Sequence, residues 1–311
     1  MQRAVYIYAA VLTLLVTAFV LYAFKDKSND SDRPYTSERI LADGQLPQVI
    51  RAVSLDENLN FAGVTFDVSD DDIKERLDRE LLVNAYWQSN TLLNIKRSAR
   101  YFPVIEPILA KHGVPDDFKY LAVAESGLTN AVSPAGAKGY WQFLAGTARD
   151  YGLEVTNDVD ERYHIEKATD AAARYLKRSY DRFGDWLLVA AAYNMGEGNV
   201  NKYTREQSAE DYFDLNLNEE TARYAFRLVA IKTILANPEQ FGFYLEEDDY
   251  YAPMDHYSVV RVTESVPNWG EFAKKYGISY RELKRWNPWL RDSNLNNSRG
   301  TEYEVRIPRK Q

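Results

Sequence analysis

Cysteine is absent from the 311 residues. That removes disulfides, thiolate nucleophiles and cysteine metal sites together, and with them lipid attachment to an N-terminal cysteine. Histidine is scarce: His112, His164 and His256 stand far apart with no HxxxH spacing, so a histidine-rich metal site is not expected and no cofactor is called for. Positive charge is also in deficit. The formal net charge is -8, whereas a nucleic-acid binder needs a basic stripe to neutralise phosphates, so nucleic acid is not an expected partner.

What is present is enough for a sizeable core, with 45% hydrophobic and 27% charged residues. The length suits a main domain plus a smaller module. The run AVYIYAAVLTLLVTAFVLYAF, residues 4 to 24, carries no charge. At roughly 20 residues it is long enough to span a bilayer as a helix. The polar KDKSNDSDR follows at once, and Leu21-Tyr22-Ala23 only partly matches an A-x-A cleavage site. Residues 1–24 therefore read as a membrane anchor or signal segment, the uncleaved anchor being favoured. Arg3 against Lys25 and Lys27 gives little charge bias to orient it. Residues 25–70 read as a tether and lead-in, with extended pieces such as LPQVIRAVSL and FAGVTFDV.

From Ser69-Asp70-Asp71-Asp72 the pattern turns helical, with acids placed where a helix N-terminus favours them. Ile73, Leu77, Leu81, Leu82 and Tyr86 fit one long helix. Further helices are predicted over 90–112, 115–125, 142–151, 165–183, 185–195 and 219–236. No βαβ alternation interrupts them, so residues 71–245 are predicted to form a mainly α domain.

One helix carries an acid where an apolar residue is expected. After Pro115-Asp116-Asp117, the residues Phe118, Leu121, Ala122 and Glu125 fall at i, i+3, i+4 and i+7, on a single face. Desolvation by that stripe and the negative end of the helix dipole would both raise the pKa of Glu125. A carboxyl that keeps its proton near neutral pH is what a general acid requires. Read from this helix alone, Glu125 is also consistent with an ordinary, partly exposed helix-end glutamate. Two more faces end in a polar group: Trp186, Val189, Ala190 and Tyr193 on one, and Tyr224, Leu228 and Ile231 on another, with Asn218 as N-cap. Singly, each tyrosine is also consistent with a core residue whose hydroxyl is satisfied. Between them, SPAGAKGYWQF at 133–143 is a small-residue loop leading into Trp141-Gln142.

Four ordered motifs carry a resemblance. They are Glu125-Ser126, then Gly136-Ala137-Lys138-Gly139-Tyr140-Trp141-Gln142, then Ala192-Tyr193-Asn194-Met195-Gly196-Glu197-Gly198, then Glu220-Thr221-Ala222-Arg223-Tyr224. Over about residues 95–240 the chain resembles the family 1 lytic transglycosylases, especially their membrane-bound D type. The segment from Glu125 to Ser133 is a residue shorter than the usual pattern and lacks its proline, and Tyr140 replaces a leucine or isoleucine. The resemblance implies a goose-type lysozyme-like helical catalytic domain with Glu125 as sole acid and base. It implies that Ser126, Trp141 and Gln142 help place a sugar, and that Tyr193, Asn194 and Tyr224 shape the site. The implied substrate is peptidoglycan, cut at the β-1,4 bond between N-acetylmuramic acid and N-acetylglucosamine, leaving 1,6-anhydromuramic ends. Asp116, Asp117, Asp150 and Asp160 read as solvated or capping residues.

After LEEDDYYAP at 245–253, HYSVVRV and EYEVRIP alternate like strands around EFAKKYGISYRELKRWNP, which reads as two short helices. This βααβ unit, residues 254–311, resembles a LysM glycan-binding module through Ala273-Lys274-Lys275-Tyr276-Gly277, Leu283-Lys284-Arg285-Trp286-Asn287-Pro288 and Val305-Arg306-Ile307-Pro308. Its first turn departs from the pattern, with Glu264-Ser265-Val266-Pro267-Asn268-Trp269 in place of glycine-aspartate-threonine-leucine. A structural cap on the catalytic domain is the other reading. Two other functions stay open, a goose-type hydrolase releasing reducing ends and a non-catalytic peptidoglycan binder. The expected setting is the cell envelope, on the periplasmic side of a bacterial membrane. The sequence leaves the oligomeric state open.

Overall fold

The computed structural model describes residues 50–55 and 58–309. The apolar run at 4–24 lies outside them. Among the described residues no helix is long and apolar enough to cross a membrane.

The helical region begins where the acids predicted it. Asp70 is extended and its side chain accepts the Ile73 N–H, which starts α1 (Asp71–Tyr86) with Asp71 and Asp72 in the first turn. Then follow α2 (Gln88–Lys111), a 3-10 turn at Asp116–Phe118 and α3 (Lys119–Ser126). Gly127 closes α3 in the left-handed region at φ 57°, where its missing Cβ avoids Asn94 Oδ1 at 2.9 Å. Next come α4 (Ala145–Asp150), α5 (Ile165–Phe183), α6 (Trp186–Met195), α7 (Glu197–Gln207) and α8 (Glu219–Ala236). The helix α7 is not among those predicted, because Gly196 and Gly198 read as a loop.

Helix α8 lies at the centre. It packs on α1, α3 and α6, and Leu228, Val229 and Ala230 are completely buried. Its rotation against α1 is fixed by a buried carboxylate. Glu80 accepts Arg223 Nε at 2.6 Å and Arg79 Nη1 at 2.6 Å, and Arg227 Nε stands 3.6 Å from it. An acid stripped of water is tolerable only with such partners, and the forked guanidinium makes the pairing directional.

The stretch read as lead-in supplies part of this core. A hairpin of β1 (Asn60–Phe61) and β2 (Val64–Thr65) brings Leu59, Phe61 and Phe66 inside. The Phe66 ring meets Phe213 and Phe226 edge-on, each at 5.1 Å between centroids.

The C-terminal segment forms the expected βααβ unit. Strands β3 (Tyr257–Val262) and β4 (Tyr303–Pro308) pair antiparallel with Val260 opposite Val305, and α9 (Trp269–Lys275) and α10 (Tyr280–Trp286) lie between them in sequence. Ser279 and Glu282 form a reciprocal capping box on α10. The core of this unit, around Trp269, Leu283 and Val305, also takes in Val159 and Tyr163 from the helical region.

Truncating Phe66 should expose whether the lead-in is integral. Phe66→Ala is expected to lower unfolding free energy by about 3–5 kcal/mol in denaturant titration, as for other wholly buried aromatics. A loss within the scatter of surface substitutions would detach the hairpin from the core.

Candidate active site

Glu125 ends α3 where the sequence placed it. Phe118, Leu121 and Ala122 beside it are fully buried, and Glu125 itself is half-buried. Its one described hydrogen-bond partner comes from α8, where the Tyr224 hydroxyl donates to Oε1. Burial is the largest influence and pushes the Glu125 pKa above 4.5; the Tyr224 hydrogen bond and the Arg227 charge act the other way, and Glu220 adds a smaller push upward. The result is a carboxyl that holds its proton longer than an ordinary glutamate. Burial also drives Tyr224 and Tyr193 well above the usual tyrosine value, with Glu125 adding to both. Both hydroxyls therefore stay donors throughout the neutral range.

The other predicted residues converge on the loop after α3. Ser126 Oγ donates to Ala122 O at 3.0 Å and to Tyr140 O at 2.8 Å. Tyr193 Oη donates to Trp141 O at 2.6 Å. Gln142 Nε2 donates to Ala131 O at 3.1 Å and Gly139 O at 2.7 Å, from a left-handed backbone at φ 50° that is costly for a residue with a Cβ. Asn194 sits one step back, its Oδ1 accepting Thr221 Oγ1 at 2.7 Å. Four hydrogen-bonding side chains thus serve first to fix backbone carbonyls and a helix start.

Two expectations need correction. Trp141 was expected to offer a face to sugar, but it is completely buried and its indole N–H is engaged with Thr169 Oγ1 at 2.9 Å. Its backbone carbonyl, not its ring, meets another of the predicted residues, Tyr193. Asp160 was expected to be solvated or capping; it does cap the 3-10 turn at Glu161–Tyr163, but buried, paired with Arg162 at 2.8 and 2.7 Å. Thr221, named in the sequence only as part of a motif, supports Asn194, and two residues not singled out there also contribute, Arg227 and Arg162. Arg162 Nη1 donates to Gly136 O at 3.2 Å and Phe143 O at 3.1 Å, gripping both ends of the loop. Only its position next to an acid, far from the loop in sequence, could have hinted at this.

Among the described residues no group of three or more His, Asp or Glu is placed to hold a metal ion. A cavity of about 470 Å³ lies away from this constellation, lined by His164, Glu166, Trp289 and Arg306 among others, and Glu125, Tyr193 and Tyr224 take no part in its walls. The desolvated acid, not that cavity, marks the candidate chemistry.

Residues 103–216 match the family described as Transglycosylase SLT domain, and residues 258–311 match the Soluble lytic transglycosylase C-terminal LysM-like domain. Membrane-bound lytic murein transglycosylase D of Escherichia coli (strain K12) is 33% identical over 247 residues, covering 77% of this chain and 52% of that protein. Peptidoglycan transglycosylase gp16 of Escherichia phage T7 is 36% identical over 116 residues, 36% of this chain and 9% of that protein. The 70 kDa soluble lytic transglycosylase SLT70 of Escherichia coli aligns with 56% of this chain and 33% of its own, at 16% identity and a TM-score of 0.41. The chain spans about half the length of the D-type relatives it matches.

The electrostatics can be read directly. In a carboxyl-carbon NMR titration, Glu125 should titrate above 4.5. Tyr224→Phe removes a bond that favours the carboxylate, so the midpoint should move further up. A midpoint at or below the ordinary glutamate value, or a downward move in the variant, would contradict a desolvated acid steadied by Tyr224.

Proposed function

We propose that this chain, whose residues 103–216 and 258–311 match the Transglycosylase SLT domain and the Soluble lytic transglycosylase C-terminal LysM-like domain, is a peptidoglycan lytic transglycosylase with Glu125 as acid and base. The observation that carries this reading is the half-buried, proton-retaining Glu125 held by a tyrosine hydroxyl.

The steps follow from the groups present. With Tyr224 donating to Oε1, the acid's proton sits on Oε2 and passes to the glycosidic oxygen as the bond to C1 of N-acetylmuramic acid breaks. Positive charge develops at C1 and the ring oxygen, and Glu125 becomes a carboxylate that the Tyr224 hydrogen bond now favours. The C6 hydroxyl of the same sugar attacks C1 and gives its proton to Glu125, closing a 1,6-anhydro ring. No water is consumed and the acid is restored. Ser126, Gln142 and Tyr193 fix carbonyls of the loop after α3, and Asn194 supports α8 through Thr221.

The second reading, a goose-type hydrolase, needs a group to activate water. The one carboxylate among the groups that act on Glu125 is Glu220, exposed in the first turn of α8. Its exposure favours the lytic reading, in which no such base is required. We further assign the catalytic unit to residues 71–245 together with the packed stretch around Phe66, and the LysM-like unit to 254–311. The setting is the cell envelope on the periplasmic side of a bacterial membrane, held there by residues 4–24.

Mass spectrometry of muropeptides after digestion of sacculi tests the reaction. Wild type should release 1,6-anhydromuramic ends, and Glu220→Gln should release the same products. Glu125→Gln should fold normally and lose about 10²- to 10⁴-fold in activity, or more because the group serves twice. Products with reducing ends alone would establish the hydrolase, and full activity in Glu125→Gln would remove the acid from the mechanism.

A further inference from the structure

The C-terminal unit is docked along residues 154–166, where Tyr303 Oη donates to Glu154 Oε2 at 2.8 Å and Arg306 pairs with Glu166 at either end, and the middle of that stretch holds the active-site loop. Val159 pairs with Leu290 in an antiparallel bridge, Asp160 N donates to Trp289 O at 2.9 Å, and Arg291 N donates to Asp158 O at 2.7 Å. Asn296 N donates to Asp158 Oδ2 at 2.8 Å. Val159 and Tyr163 are buried inside the core of the C-terminal unit, with the Arg291 guanidinium 4.2 Å from the Tyr163 ring centre. Trp289 is flanked by Tyr303 and by His164, each at 5.8 Å between ring centres. Every residue from 158 to 160, and Tyr163, is thus bonded to or packed against the C-terminal unit.

Arg162 lies inside this clamped stretch and faces the other way. Its side chain is 3% exposed, and four hydrogen bonds occupy it: two to Asp160, one to Gly136 O and one to Phe143 O. The contact is also steric. A Cβ on Gly139 would come within 1.9 Å of Arg162 O, so the loop lies directly against the segment's backbone. The carbonyls of Tyr140 and Trp141, which receive Ser126 Oγ and Tyr193 Oη, lie between the two points that Arg162 grips.

We propose that the C-terminal unit is a working part of the active site, whose docking onto residues 158–163 sets the position of loop 136–143 through Arg162. Arg162 and Trp289 are positioning residues in this scheme. It extends the lytic reading: a unit that only captured glycan would alter how tightly polymer binds, whereas a unit that sets the loop alters turnover on bound substrate.

The test uses the full chain with Arg162→Lys, Trp289→Ala and the double variant. Lysine keeps a charge for Asp160 but cannot span two carbonyls. On soluble glycan fragments of fixed length, kcat should fall about 10- to 100-fold in Arg162→Lys, as expected for a misplaced site. It should fall several-fold in Trp289→Ala, and the double variant should be no slower than Arg162→Lys, since both act on one path. Hydrogen exchange gives a readout independent of activity: the amides of Lys138, Gly139 and Gln142, all bonded within the loop region, should exchange faster in Trp289→Ala. If that variant does not fold, Arg291→Ala, which keeps the backbone bond, takes its place in the same exchange measurement. Loop exchange at the wild-type rate, or a change confined to KM, would reduce the C-terminal unit to a tether and overturn the proposal. A wild type with no lytic activity would defeat the proposed reaction while leaving the exchange result to decide this one.

Discussion

The constraint on which the site rests is that a carboxyl held away from water needs a partner, and Glu125 finds it 99 residues away in Tyr224. A hydroxyl is a mild partner. It supports the carboxylate when that forms, yet does not compel ionisation as a guanidinium at contact distance would. The arginine that does influence Glu125, Arg227, is itself drawn toward Glu80 on α1. The central helix α8 therefore carries its cations to one acid and its tyrosine to another, and the pairing with Glu80 keeps the two faces in register. Two buried or half-buried glutamates thus meet different partners on α8, guanidinium groups at Glu80 and a tyrosine hydroxyl at Glu125.

Around the acid, order is maintained with little regular structure. The stretch from Ala131 to Phe143 contains only isolated bridges, and its carbonyls are met by side chains from α3, α6 and the 158–163 segment, and by its own Gln142. Where this backbone is buried, from Gly139 to Trp141 and at Phe143, groups without ladder partners must be satisfied in this way. The left-handed conformations at Gly136, Gly139 and Gln142 turn those carbonyls toward their donors. The motif residues in this stretch owe their identity largely to that task.

Much of this was legible in the sequence wherever periodicity and caps coincided. The Asp70 and Asn218 caps, the apolar faces of α1, α6 and α8, and the alternation of β3 and β4 all correspond to observed elements. The acid on an apolar stripe was also visible at Glu125, although the same pattern occurs at Glu80 after Leu77, where it is structural. Sequence spacing reports that an acid will be desolvated; it cannot report whether a tyrosine or an arginine faces it. The helix α7 was hidden by Gly196 and Gly198, and the hairpin by its two-residue strands. Trp141 was misplaced because an aromatic next to a small-residue loop reads alike whether its ring faces ligand or core. Arg162 gave only the acid beside it as a local sign, since the loop carbonyls it holds lie 26 and 19 residues away.

The C-terminal unit completes its core with Val159 and Tyr163, two side chains it does not encode. In evolutionary terms it is less portable than a freely recombining module. Transplanted alone to another protein, it would arrive with an apolar gap where those residues belong. A shuffling event that preserved it would have to carry the 158–163 segment as well, or find a host offering a similar ridge. Inheritance of the two parts is in this sense linked, and substitutions on either side of the seam must be matched on the other.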